Sequence, residues 1–149
     1  MAKNVVESTP SGDMAREKAR EDAGDGPEVI LEFLFDRGML SVSVRNIGTR
    51  AAMRVAVSFD RQFTGLGGAK EISSLPLFKN VEFLGPAREI ATLIDTSASY
   101  FARKQPTTIA ARVSYFDADD RKYEATIHHD LEIYRELSWI SSAPDHERQ

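Results

Sequence analysis

The chain has 149 residues, a formal net charge of -4 and no cysteine. One domain with an ordinary core fits that length, and the acidic balance excludes the basic footprint of a nucleic-acid binder. The missing cysteines exclude disulfides, thiolate nucleophiles and Cys-based zinc sites, and no apolar stretch is long enough to insert into a membrane as a span.

Residues 1–27 are rich in charge, Ala, Gly and Ser and contain no aromatic residue. Such a segment has little to bury and reads as a flexible arm. Asp13 is placed to cap a short polar helix through MAREKARED, and Gly24-Asp25-Gly26-Pro27 ends it. The opening MAKNVVESTPSGD has no apolar h-region, so the expected location is the cytoplasm.

From Glu28 the pattern turns to period two. Val29, Leu31, Phe33 and Phe35 alternate with Ile30, Glu32, Leu34 and Asp36, a strand with apolar residues on both faces. Asp36-Arg37-Gly38 is a tight hairpin turn. The run LSVSVRNIGTRAAMRVAVSF, Leu40 to Phe59, then holds two alternating strands around one polar turn. Leu40, Val42 and Val44 share a face, as do Met53, Val55, Val57 and Phe59. Phe63 to Pro86 is less regular, with a glycine loop at Gly65, Gly67 and Gly68. Ile72 to Leu77 reads as a short edge strand, where Pro76 is tolerable. Gly85-Pro86 is a turn. Glu89 to Asp95 reads as a strand with Ile90, Thr92 and Ile94 on one face. Ser97 to Lys104 is a helical turn or irregular crossover, ended by Pro106. Thr108 to Phe116 is a strand with Ile109, Ala111, Val113 and Tyr115 inward. After the Asp117-Ala118-Asp119-Asp120 turn, Tyr123 to Ile133 is the last strand. About seven short strands with turns between them predict an all-β, Ig-like antiparallel sandwich over residues 28–137, followed by a polar tail at 138–149.

Three turns carry a family resemblance: Asn46-Ile47-Gly48-Thr49-Arg50-Ala51-Ala52, Leu84-Gly85-Pro86, and Val113-Ser114-Tyr115-Phe116-Asp117 followed by Tyr123. Residues 28–137 resemble the bacterial and archaeal Ig-like domains of the CARDB-type, cell-adhesion-related group. The resemblance implies a sandwich acting as a spacer or binding module, and it brings no catalytic residues. Gly85-Pro86 stands where that group has Pro-Gly, and Asp120-Arg121 where it has a glycine.

No set of residues spells a reaction. His128-His129-Asp130 is tempting, but adjacent strand residues point to opposite faces, and a metal needs three convergent ligands. Asp117, Asp119 and Asp120 lack calcium-loop spacing and suit a turn. Gly65-Leu66-Gly67-Gly68 with Lys70 lacks phosphate-loop spacing. The chain has no Gly-x-Ser-x-Gly elbow. The expectation is a non-enzyme with no cofactor and no metal.

Strands 51–60, 108–116 and 123–133 are expected neighbours. Their outward residues would be Ala52, Arg54, Ala56 and Ser58; Ala110, Arg112, Ser114 and Phe116; Glu124, Thr126, His128 and Asp130. Arg54 and Arg112 either pair across strands with Glu124 or Asp130, or anchor a partner. The expected partner is another protein or a second copy, held by this face (Arg54, Arg112, Phe116, His128) or by the edge from Ile72 to Leu77. Trp139 either tucks over the sandwich end or joins that interface. The alternative is a small-ligand- or carbohydrate-binding protein, or an enzyme, with its pocket in the 63–86 region, lined by Phe63, Leu66, Phe78 and Phe83.

Overall fold

The computed structural model describes residues 25–137. Residues 1–24 of the expected arm lie outside it, as do 138–149 with Trp139 and His146. In chain order the strands are β1 (Val29–Asp36), β2 (Met39–Asn46), β3 (Ala52–Phe59), β4 (Thr64–Gly65), β5 (Lys70–Glu71), β6 (Val81–Leu84), β7 (Glu89–Thr96), β8 (Thr108–Phe116) and β9 (Lys122–Asp130). Two short helices, α1 (Pro76–Lys79) and α2 (Ser97–Ala102), interrupt them.

One sheet has the order β1-β2-β7 and the other β6-β3-β8-β9, every pairing antiparallel. Strands β4 and β5 form a separate two-residue ribbon. The result is an all-β sandwich, as the alternation predicts. Leu40, Val42 and Val44 from one sheet meet Ile109, Ala111 and Val113 from the other, all fully buried. A fully buried aliphatic side chain contributes about 1.5–3 kcal/mol, so these two stripes are what hold the layers together. Asp36 pairs with Met39, leaving a two-residue loop of Arg37 and Gly38 with φ of 53° and 79°. Positive φ at both positions matches the right-handed twist of the flanking strands.

Asn46 closes the end of β2 and is completely buried. Its Oδ1 accepts from the Glu28 amide at 3.1 Å and the Gly48 amide at 2.9 Å. Its Nδ2 donates to the carbonyls of Arg50 at 2.8 Å and Leu84 at 3.1 Å. The side chain thus joins the start of β1, the β2–β3 turn and the end of β6. Gly48 completes the joint: a Cβ there would stand 2.2 Å from the Gly26 carbonyl oxygen. The motif read as turn chemistry is therefore a clamp between the two sheets.

Several expectations are corrected. Ile72 to Leu77 is not an edge strand. Ile72 is in the core, its amide donating to the Phe63 carbonyl, and Pro76 opens α1, where its fixed φ suits the first helical turn. Leu77 is half-buried on α1 and packs on the core. The short strand β6 lies in the segment read as irregular. The last strand stops at Asp130, whose Oδ1 accepts from the Glu132 amide and starts a 3₁₀ turn, leaving Ile133 exposed.

Two register shifts change which residues face inward. In β3, Met53 pairs with Phe116 and Ala56 with Ser114, so β3 carries one extra residue. Ala52 is therefore inside, not on the outer face as alternation predicts. In β7, Leu93 pairs with Ser41 and Asp95 with Leu40, making Ile94 the extra residue. Both Ile94 and Asp95 are consequently buried, and Ile90, read as sharing a face with Ile94, is exposed on the edge strand instead.

Asn46→Ala is expected to destabilise the domain by about 3 kcal/mol or more, because it leaves buried backbone groups without partners. Urea unfolding should show a lower midpoint with an unchanged slope. Arg112→Ser, at an exposed position, should change stability by less than about 0.5 kcal/mol.

Candidate functional site

The outer face of β6-β3-β8-β9 gathers the sequence-predicted residues. One cross-strand row reads Phe83, Met53, Phe116 and Lys122. Phe83 is 62% exposed, and Met53 and Phe116 are half-buried. At the β3 bulge Arg54 adopts φ 51°, a left-handed backbone without glycine. That conformation turns its guanidinium over the Phe116 ring, 4.0 Å from the centroid, and onto the Asp120 carboxylate. Lys122 lies 5.9 Å from the same ring and pairs with Glu124 at 3.3 Å.

Magnitudes separate stability from function here. An exposed cation–π contact contributes about 0.5–1 kcal/mol and an exposed ion pair about 0–1 kcal/mol. A non-glycine residue in the left-handed region costs about 1–2 kcal/mol. The gains and the cost roughly cancel, so the bulge gives little stability; what it changes is the row beside Phe83, where Met53 faces Phe116 and Ala52 turns inward.

Arg112 sits farther along β8, opposite Ser58 and Thr126. Among the described residues it has no ion-pair partner. Arg54 pairs with Asp120 rather than with the expected Glu124 or Asp130. His128 is exposed on β9 opposite Ala110, one step diagonal from Arg112. Four residues along β8 separate Arg112 from Phe116, roughly 13 Å at strand rise. The face thus has two ends: an aromatic end with Arg54 and Phe116, and a polar end with Arg112 and His128. Small residues, Ala56 and Ser114, lie between. Phe83, Met53, Lys122 and Asp120 belong to the first end and were missed as site residues. The available signal was Val81-Glu82-Phe83-Leu84 directly before Gly85-Pro86.

The other predicted positions do not join this face. Ile72 and Leu77 belong to the core and α1, and Trp139 lies outside the described residues. Of the residues named for a pocket in 63–86, Phe63 and Phe78 are core rings packed edge-on against Phe59 at 5.1 and 5.0 Å. Leu66 and Phe83 are exposed. The cleft in that region, about 280 Å³, has only Phe78 of the four in its wall.

Two polar clusters elsewhere, around Asp95 and Asp117, consist of groups that satisfy one another, whereas the buried Glu32 Oε1, Ser43 Oγ, Ser97 Oγ and His129 Nε2 have no hydrogen-bond partner among the described residues. Asp95 accepts from the Gly67 amide at 3.0 Å, Ser99 Oγ at 3.0 Å, Arg103 Nη2 at 2.7 Å and the Thr96 amide at 2.8 Å. Arg103 also reaches Thr64, tying the β4–β5 ribbon to β7 and α2. Burial alone would raise the Asp95 pKa, but these donors together hold it below the usual carboxylate value. Asp117 caps its own turn, Oδ1 accepting from the Asp119 and Arg121 amides, both at 2.9 Å. Its Oδ2 accepts from Tyr123, whose pKa is pushed up to about 12 by burial and by this carboxylate. A cleft of about 580 Å³ beside this turn is lined by Asp25, Arg50, Asp117 and Arg121, among others. There Arg50 pairs with Asp25 at 3.3 Å and Arg121 with Asp117 at 3.9 Å. The two neighbouring histidines diverge: His128 is outward, while His129 packs edge-on against Phe33 at 4.9 Å. Among the described residues, no three His, Asp or Glu side chains gather closely enough to hold a metal ion.

These features define a class, an all-β sandwich of antiparallel sheets. The chain belongs to the family described as a domain of unknown function, DUF8453, whose model matches residues 2–135. No curated protein matches it.

Burial lowers the His129 pKa, outweighing its hydrogen bond with the Leu31 backbone and the nearby Glu32 carboxylate. The unfolded chain therefore takes up the proton first, and stability should fall as pH drops below about 6.5. Asp95 is shifted in the same direction: its contribution is present above the ordinary carboxylate pKa and is lost as pH falls through the lowered native value, below the window in which His129 acts. Urea midpoints measured from pH 7 to 5 should decline in the wild type and flatten in His129→Gln. An unchanged slope in that variant would assign the proton uptake elsewhere.

Proposed function

We propose that this domain is a non-catalytic, Ig-like protein-interaction module of the CARDB type, working in the bacterial cytoplasm. Its docking surface is the outer face of β6-β3-β8-β9, with the aromatic end as anchor. The observation that carries this reading is Arg54. A mid-strand residue holds a left-handed backbone, at little net gain in stability, and lays a guanidinium on Phe116 beside the exposed Phe83. Arginine and aromatic residues are enriched at binding hot spots, and strand bulges commonly re-aim a side chain. Arg112 and His128 extend the same face and supply its polar rim. The filled core and mutually paired polar clusters support a module more than a reaction site.

The test separates binding from folding. Affinity capture from the native cell identifies the partner, and calorimetry with the purified pair measures affinity. Arg54→Gly suits the left-handed backbone, so stability should be retained while affinity falls about tenfold or more. Arg54→Glu/Arg112→Glu should abolish capture. Wild-type affinity in both variants would reject this face.

A further inference from the structure

We propose that β9 is a self-association edge: it pairs antiparallel with β9 of a second copy, with the two-fold axis at Thr126. The two four-stranded sheets then become one sheet of eight strands. This concerns the edge of the sheet and stands whether or not the Arg54 end of the face binds a partner.

Strand β9 ends the sheet order, and among the described residues it pairs only with β8. The pairing runs from Lys122↔Phe116 to Asp130↔Thr108 with no register shift. The Leu131 amide donates to the Thr107 carbonyl at 2.7 Å, continuing that register. Bonded pairs alternate along an antiparallel ladder, so odd-numbered residues of β9 bond to β8. The amides and carbonyls of Lys122, Glu124, Thr126, His128 and Asp130 point to the open side. Sheet edges are commonly blunted by proline, bulges or short length. β9 is nine residues long and has neither proline nor bulge. The opposite edge, β6, has only four residues and runs into Gly85-Pro86.

The side chains of the same five residues are exposed on the outer face, and their order is antiparallel-complementary. About Thr126, Lys122 meets Asp130 of the second copy and Glu124 meets His128. Moving the axis by one residue destroys the match. An axis at Ala125 sets Lys122 against His128, so that the Lys122–Asp130 pair is lost, and one at Ile127 sets Glu124 against Asp130. Parallel in-register pairing sets every charge against itself. Opposite charges directly across a strand pair are favourable and like charges unfavourable, so the charge pattern selects one register. Charged side chains on an edge ordinarily repel a second strand; this set attracts its own reversed copy.

The chain contains no cysteine, so Thr126→Cys introduces a single thiol beside the axis. Cα atoms of a bonded antiparallel pair lie about 5.5 Å apart, within disulfide range. Mild oxidation of the full chain should give a covalent dimer with Thr126→Cys and not with Ser58→Cys, two strands away on the same face. Sedimentation over a concentration series should show a wild-type dimer. Glu124→Lys should weaken it by at least about tenfold, and Glu124→Lys/His128→Glu should restore it. Thr126→Pro removes an amide on the open side without touching the β8 ladder, and should give a folded monomer. A wild-type monomer throughout the series would overturn the proposal. So would a double variant as weak as Glu124→Lys alone, or equal cross-linking of the two cysteine variants.

Discussion

The four hydrogen bonds of the Asn46 carboxamide are the constraint on which the two sheets depend. A side-chain amide offers two donors and acceptor lone pairs in one plane. Here the oxygen holds the Glu28 and Gly48 amides, and the nitrogen holds the Arg50 and Leu84 carbonyls. Those partners come from three separate stretches of chain, the start of β1, the β2–β3 turn and the end of β6, belonging to both layers. The backbone of Asn46 adds two bonds to the turn after β6, accepting from the Ala87 amide and donating to the Arg88 carbonyl. Because the site is fully buried, water cannot substitute for a lost partner. The close approach of Gly48 to Gly26 and Glu28 follows, since any side chain there would push β1 off the joint.

From that fixed end, two extra residues decide what the surfaces present. The Ile94 bulge rotates Asp95 into the molecule, where it meets Arg103 and binds the 64–71 segment to β7. The bulge in β3 turns Ala52 inward and brings Met53 to the outer face, where it stands between Phe83 and Phe116 beside Arg54. Without it the Ala56–Ser114 register would set Arg54 directly opposite Phe116; with it Met53 takes that place and Arg54 reaches the ring from a left-handed backbone. The same device thus serves rigidity at one site and display at the other.

Much of the architecture was legible because period-two patterning reports burial directly. Leu40, Val42 and Val44, and Ile109, Ala111 and Val113, gave their strands without ambiguity. Thr108 to Phe116 has the bounds read from its alternation. What was not legible has local causes. A bulge adds one residue without changing composition, so Ala52 and Met53 read as exchanged. β6 is too short for alternation to register. Ile72 and Pro76 looked like an edge strand because the sequence shows no difference between an apolar residue pairing at an edge and one folded under a helix start. The Arg54–Phe116 contact was half legible: both residues were on the correct face, but Phe83, Met53 and Asp120 reach that end only through β6 pairing and the β8–β9 turn.

The face and the edge of the same sheet divide the remaining chemistry between them. Aliphatic stripes together with Phe63 and Phe78 form one buried core between the layers, and Phe59 packs against it. On the proposed reading, recognition falls to side chains above the sheet and to main-chain groups beside it. Side chains above a sheet can discriminate between partners, because their shape and charge vary from site to site. Main-chain groups along an edge are the same for any strand, so specificity there has to come from the order of charges flanking them. Lys122, Glu124, His128 and Asp130 have such an order, and Arg54, Phe116 and Phe83 have such a shape. Joining two copies at β9 would leave both faces open and bring them into one surface, doubling the anchors presented to a partner without changing either fold.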